Sequence, residues 1–71
     1  MSTRLDLCAV GKYILFDIGN NNRLLEMGLI PNQIVIVISN NILGIKIRIN
    51  SSTYLLNSVV ASTIYAKPIG E

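Results

Sequence analysis

Residues 33–49 have the sequence QIVIVISNNILGIKIRI, which predicts two β-strands joined by a turn. The first half is apolar without interruption over residues 34–38, a pattern typical of a strand buried on both faces, inside a domain or at an interface. The second half alternates isoleucines with Lys46 and Arg48, so one face is expected in the core and the other in solvent as a basic stripe. Residues 40–44 predict a hairpin loop, because Asn-Asn favours left-handed backbone and a glycine closes the turn.

The segments around this hairpin predict a small all-β domain. Strands are expected over residues 12–18, 53–56 and 63–67, which contain many β-branched and aromatic side chains. Short helical turns are expected over residues 23–27 and 57–62, where an asparagine stands in position to cap each one. Short strands joined by tight turns, with one or two helical turns, favour a small barrel, because closure removes the strand edges that invite aggregation.

Composition indicates one domain with an apolar surface to cover. The chain has 71 residues, of which 51% are hydrophobic and 14% charged, and its mean hydropathy is +0.52. A domain of this size buries only about 60% of the surface of its unfolded chain. Its high apolar content therefore favours a packed core together with a face that another chain covers.

Two observations bear on the membrane and on localisation. The longest apolar run, residues 34–38, is far too short for a membrane-spanning helix. Asp6 interrupts the N-terminal segment, which has no apolar stretch of the kind a secretory signal needs. We therefore expect a cytoplasmic protein without direct membrane insertion.

Residue types that carry chemistry are scarce. The chain has one cysteine, Cys8, no histidine and four acids, and no two of these groups stand at the spacing of a metal site. The sequence contains no nucleophile–base pair and no glycine-rich phosphate loop. We predict no catalytic residue, no metal ligand and no cofactor, and we expect Cys8 to be a small buried hydrophobe.

The basic residues leave three interpretations open. Net charge is +2 and the isoelectric point is about 9.0, which permits an acidic partner without requiring one. Lys46 and Arg48 share one strand face. The favoured interpretation is a solvated surface, and the second is a binding surface for an acidic protein. Nucleic acid is the least favoured partner, because aromatic stacking platforms are not interleaved with the cations.

The segment RLLEMGLIPN, residues 23–32, resembles the R-L-x-x-[LM]-G-[LIM]-x-P-G turn of the FeoA family. An apolar strand and a basic alternating strand follow in the family's order, and the closing LNSVVASTIYA resembles its L-R-x-x-x-A-x-x-I-x-V. Asn32 and Asn50 stand where the family has glycines, and both are residues that reach positive φ at modest cost. Asn57 stands where the family has an arginine.

The resemblance covers about residues 5–67 and implies a single SH3-like β-barrel domain over residues 1–71, frayed at residues 1–4 and 68–71. At the family level it implies ferrous iron transport and an association with transition metal ions. It also implies a partner, the cytosolic part of the FeoB-type membrane GTPase transporter, and a non-enzymatic regulatory role. The contact residues expected on the turn and the basic strand are Arg23, Met27, Leu29, Lys46 and Arg48.

Two other functions stay open at this point. One is a regulatory or nucleic-acid-binding SH3-like domain, which the basic strand would serve. The other is a self-associating structural protein, a homo-oligomer formed through residues 33–39, because that segment is apolar on both faces.

Overall fold

The computed structural model describes residues 2–19 and 22–69, and in this part of the chain strands predominate. The strands are β1 (Thr3–Arg4), β2 (Gly11–Asp17), β3 (Ile34–Asn41), β4 (Gly44–Ile49), β5 (Ser52–Leu56) and β6 (Tyr65–Pro68). The helices are α1 (Asn22–Glu26) and α2 (Ser58–Ala61), and a 3₁₀ turn covers Leu5–Leu7.

All of these strands belong to one antiparallel sheet with the order β1-β6-β2-β3-β4-β5. The sheet is strongly curled, as in small SH3-like domains, so the predicted fold class is confirmed. Pairing does not close it into a complete barrel, since β1 has 2 residues and bonds to β6 alone. The edges that closure was expected to remove therefore remain, at β1 and at β5.

The core fills the inner side of the sheet, where alternate residues of each strand point. The alternation predicted for β4 is confirmed, because Ile45, Ile47 and Ile49 are at most 4% exposed, whereas Lys46 and Arg48 are exposed. The other buried side chains are Leu5, Cys8, Leu15, Ile18, Leu24, Leu29, Val35, Val37, Leu56, Ala61, Ile64 and Ala66. The burial predicted for Cys8 is thus confirmed.

Strand β3 departs from its prediction. Val35 and Val37 are fully buried, but Ile34 and Ile38 on the opposite side remain 56% and 41% exposed. The prediction that this strand is buried on both faces inside the domain is wrong, because the sheet packs a core against one of its faces only. Ile36, between Ile34 and Ile38, is half-buried.

The β3–β4 hairpin is tighter than predicted. Strand β3 continues through Asn41, so the turn has its tip at residues 42–43 rather than spanning residues 40–44. The Asn40 side-chain amide donates hydrogen bonds to the carbonyl oxygens of Asp6, at 3.1 Å, and Cys8, at 2.8 Å. These long-range bonds explain why an asparagine that the sequence places in a loop lies in a strand.

Some of the terminal residues that the sequence predicts to fray take part in strand pairing in this structure. Thr3 and Arg4 pair with Ala66 and Tyr65 as strand β1, and Pro68 lies opposite Tyr13. Residues 1 and 70–71, also expected to fray, lie outside the described residues, as do residues 20–21 of the predicted turn before α1.

Candidate functional site

The turn that resembles the FeoA pattern is built around the end of α1. The Met27 N–H donates to the Arg23 carbonyl at 3.1 Å, and the Leu29 N–H donates to the Leu24 carbonyl at 2.9 Å. Gly28 between them has a φ of 94°, a left-handed conformation that ends helices and favours glycine. The helix is too short to be stable alone, and Leu24, 2% exposed, anchors it to the core.

Helix α2 is fixed by its cap. The Asn57 side-chain oxygen accepts a hydrogen bond from the Val60 N–H at 2.8 Å, and the Asn57 carbonyl accepts one from the Ala61 N–H at 3.0 Å. Asn57 therefore performs the capping that the sequence predicted. Ala61 is fully buried, whereas Val60, half-buried, lies at the surface.

Residues of α1, β5 and α2, together with residues 27 and 57 next to them, line an open cleft of about 250 Å³. The Tyr54 hydroxyl donates a hydrogen bond of 2.8 Å to the carbonyl of Met27, which follows α1 and lines the cleft. The cleft is lined by Arg23, Leu24, Met27, Leu55, Leu56, Asn57 and Val60. We call it the β5 cleft; its lining is mostly apolar, and of the residues that the structure describes, Arg23 is the one charged residue in it.

Of the five predicted contact residues, two line the β5 cleft and two lie on the outward side of β4, which pairs with β5. Arg23 and Met27 line it, and Lys46 lies directly across from Leu55, whose side chain is 61% exposed. Arg48 follows on the same outward side of β4, and its Nε donates to the Asn50 carbonyl at 3.2 Å.

Leu29 is the exception. It is fully buried, so it supports the turn from within the core and presents no side-chain surface to a partner in this structure. Leu29 therefore has no exposed atom that a partner could contact.

Sequence reasoning missed Leu55, which links the cleft to the basic strand. The pair Leu55-Leu56 ends β5, and successive strand residues point to opposite sides, so one of the two leucines had to face outward. Leu56 is 4% exposed and Leu55 61%. The sequence therefore showed that one leucine of this pair faces outward. Deciding which of the two it is required the register of β5 on β4.

The described residues that line the β5 cleft include no cysteine, histidine or acid. Among the described residues, no group of three or more His, Cys, Asp or Glu side chains could hold a metal ion. Burial raises the pKa of the Cys8 thiol, whose Sγ lies 3.5 Å from the Arg4 carbonyl, and a protonated buried thiol is a poor nucleophile. The Arg4 guanidinium makes two hydrogen bonds to Asp6, at 3.0 and 2.9 Å, on the surface.

The helices of the described segments are all short and polar in part. None of them has the length and hydropathy needed to cross a bilayer.

Comparisons with known proteins identify the family. The family model described as "FeoA domain" matches residues 5–68. The chain is similar in structure to a crystal structure of an iron uptake regulatory protein, FeoA, with a TM-score of 0.86 and 21% identity over 97% of this chain and 100% of that chain. At that identity the structural likeness shows the shared fold. No curated protein matches the sequence.

Proposed function

The chain belongs to the FeoA domain family, and we propose that it is a non-enzymatic, cytoplasmic module that binds the cytosolic part of a FeoB-type transporter. Membership of this family implies a role in ferrous iron uptake systems. The observation that supports the finer proposal is the β5 cleft, an apolar recess with Arg23 at its border and Lys46 beside it.

The cleft has the properties of a protein docking site. Interfaces gain most of their affinity from a few apolar anchors in desolvated pockets, surrounded by a polar rim. Met27, Leu55 and Val60 supply apolar surface at the cleft, and the Arg23 and Lys46 side chains supply positive charge beside it. An apolar side chain of the partner would occupy the cleft, and acidic residues flanking it would contact the cations.

The edge of β5 adds a second means of contact. Strand β5 pairs with β4 on one side and is the last strand of the sheet, so its other edge can receive an extended segment. Such a segment would run past the cleft, placing one of its side chains between α1 and α2. Docking of this kind changes the activity of the transporter only if the module binds one conformational or nucleotide state of the transporter more tightly than the others.

The test compares two substitutions of exposed leucines, Leu55→Asp in the β5 cleft and Leu43→Asp at the hairpin tip. Both leucines are well exposed, at 61% and 77%, and both changes add one negative charge. We expect Leu55→Asp to weaken binding to the purified cytosolic part of the transporter by about tenfold or more, as loss of an anchor does. Leu43→Asp should change it by less than about twofold.

Isothermal titration calorimetry would measure these affinities. Absence of wild-type binding at micromolar concentrations would contradict the proposal. Equal losses from the two substitutions would contradict the assignment of the cleft.

A second proposal, self-association through β3, is favoured by the exposure of Ile34 and Ile38 on its outward face. Sedimentation velocity tests it, because a dimer would form with increasing concentration and Ile34→Ser would prevent it. A monomer at all concentrations would contradict it.

A further inference from the structure

Positive charge and apolar surface alternate across the outward side of the sheet. Residues directly opposite one another on paired strands lie side by side on the same face. One such row runs across β6, β2 and β3, and the next runs across β2, β3 and β4. The two rows are Lys67, Ile14 and Ile34, and then Lys12, Ile36 and Arg48; we call these six residues the outer face.

Two neighbouring features extend the outer face. Phe16 is 54% exposed, and the Lys67 ammonium lies 4.5 Å from the centre of its ring. On the other side Lys46, opposite Leu55, continues the same outward side of β4. Four of the chain's 6 lysines and arginines therefore lie on this side of the sheet.

The acids of the described residues lie elsewhere or are already bonded. Asp6 is paired with Arg4, and Glu26 belongs to α1. Asp17, at the end of β2, accepts a hydrogen bond from the Gly19 N–H at 2.9 Å. The positive potential of the outer face is therefore not cancelled by a carboxylate within its rows.

We propose that the outer face binds the anionic headgroup surface of a lipid membrane. This proposal goes beyond the docking function proposed for the β5 cleft and does not rest on it. Self-association through β3 would use the same Ile34, so a second copy of the chain is the competing occupant of the outer face. Lysine and arginine side chains reach phosphate groups while their aliphatic stems lie along apolar surface. Ile34 and Phe16, which are exposed, and Ile14 and Ile36, which are half-buried, supply apolar surface that fits the boundary between headgroups and acyl chains.

The arrangement of the cations favours lipid over a protein or a nucleic acid. Lysines are depleted at protein interfaces relative to the rest of the surface, whereas here Lys12 and Lys67 each lie directly opposite an isoleucine within a row. A nucleic acid would place phosphates against Ile14, Ile34 and Ile36, which can donate no hydrogen bond. A lipid headgroup layer suits both the cations and the isoleucines. Its anionic groups can move to reach the cations, and the acyl chains beneath them are apolar.

The first test is sedimentation of the protein with vesicles of phosphatidylglycerol mixed with phosphatidylcholine. We expect binding to these vesicles at low salt and none to vesicles of phosphatidylcholine alone. Lys12→Gln and Lys67→Gln should each weaken binding about fivefold, the effect of one cation near an anionic surface. The matched control is Arg4→Gln, which removes the same charge from β1 and should weaken binding less than about twofold.

The second test asks which part of the molecule reaches the lipid. The chain has no tryptophan, so a single introduced tryptophan reports its own surroundings. We expect Ile34→Trp to show a blue-shifted emission with phosphatidylglycerol vesicles. Ile42→Trp at the hairpin tip, where the side chain is 100% exposed, should show no shift.

Several outcomes would overturn the proposal. They are no sedimentation at millimolar anionic lipid, a shift at residue 42 with none at residue 34, and equal losses from Lys12→Gln and Arg4→Gln. Tighter binding to a polyglutamate peptide or to a DNA oligonucleotide at the same salt concentration would assign the outer face to a macromolecular partner instead. A dimer that Lys12→Gln and Lys67→Gln abolish would assign it to a second copy.

Discussion

Strands β3 and β4 are neighbours in the sheet and bury the same side of it. Their sequences differ, because only β4 marks its solvent side with charged residues. In β4 every inward residue is apolar and its outward residues are Lys46 and Arg48. In β3 the inward valines are buried, but the outward positions hold Ile34 and Ile36. Outward isoleucines add little to a core that is already filled from the other side, and Ile34 leaves apolar surface exposed on this face of the sheet.

The largest effect is expected from a substitution of a fully buried residue on the inward side. Ile47 of β4 is fully buried, and Ile47→Ala should lower the free energy of unfolding by about 2–5 kcal/mol. A domain of this size has only about 4–10 kcal/mol of stability in total. Urea denaturation would measure the loss, and Ile34→Ala on the outward side of β3 is the matched control, with an expected loss below about 1 kcal/mol. Similar losses would refute the distinction between the two sides.

The next largest effect is expected where the two strands meet. Gly44 begins β4 with a φ of 130°, and a Cβ there would clash with the Leu56 carbonyl oxygen. Gly44→Ala must therefore shift backbone, and we expect it to lower the free energy of unfolding by about 2–3 kcal/mol. Gly28→Ala provides the comparison, because it has a similar φ of 94° but no atom within 4 Å of a Cβ. If Gly28→Ala were the more damaging change, steric contact with β5 would not be the cause.

A smaller effect is expected on the outward side of β3. The double substitution Ile34→Thr with Ile38→Thr keeps β-branched residues in the strand and removes methyl groups that are largely in water. We expect the free energy of unfolding to fall by less than about 1 kcal/mol, while non-specific aggregation, measured by light scattering, decreases. A loss above about 2 kcal/mol would mean that these isoleucines are structural.

The smallest effect concerns the pH dependence of the core. Burial is the main cause that raises the pKa of Cys8, so the folded protein keeps a proton that the unfolded chain releases above about pH 8.5. The stability of the wild type should therefore be constant near neutral pH and fall as the pH rises above that value. Cys8→Ala should lack this decline until about pH 10, where Tyr13, whose pKa burial also raises, begins to contribute. Parallel curves for the two proteins would contradict the assignment to Cys8.

How far the sequence predicts this molecule depends on the kind of information each segment carries. The strict alternation of β4, the capping by Asn57 and the positive φ of Asn32 and Asn50 are local properties, and all were predictable. The one-sided burial of β3 was not, because a uniformly apolar strand does not reveal which side the sheet covers.

The site was predictable in the same uneven way. Arg23 and Met27 were found because they belong to a recognisable turn. Leu55 and the outer face were missed, since their positions depend on which residues of β2, β3, β5 and β6 stand opposite one another. Register between distant segments is set by the whole sheet and not by any single segment.

The place of β6 in the sheet has a consequence for the synthesis of the chain. Of the strands that the structure describes, β6 is made last, yet it lies between β1 and β2, which are made first. The Leu5 N–H, beside β1, donates to the Ile64 carbonyl at 2.7 Å, so neither early strand has its full set of partners until residue 68 has emerged from the ribosome. On a translating ribosome the β3–β4 hairpin can form early, but the domain as a whole must fold in one late step.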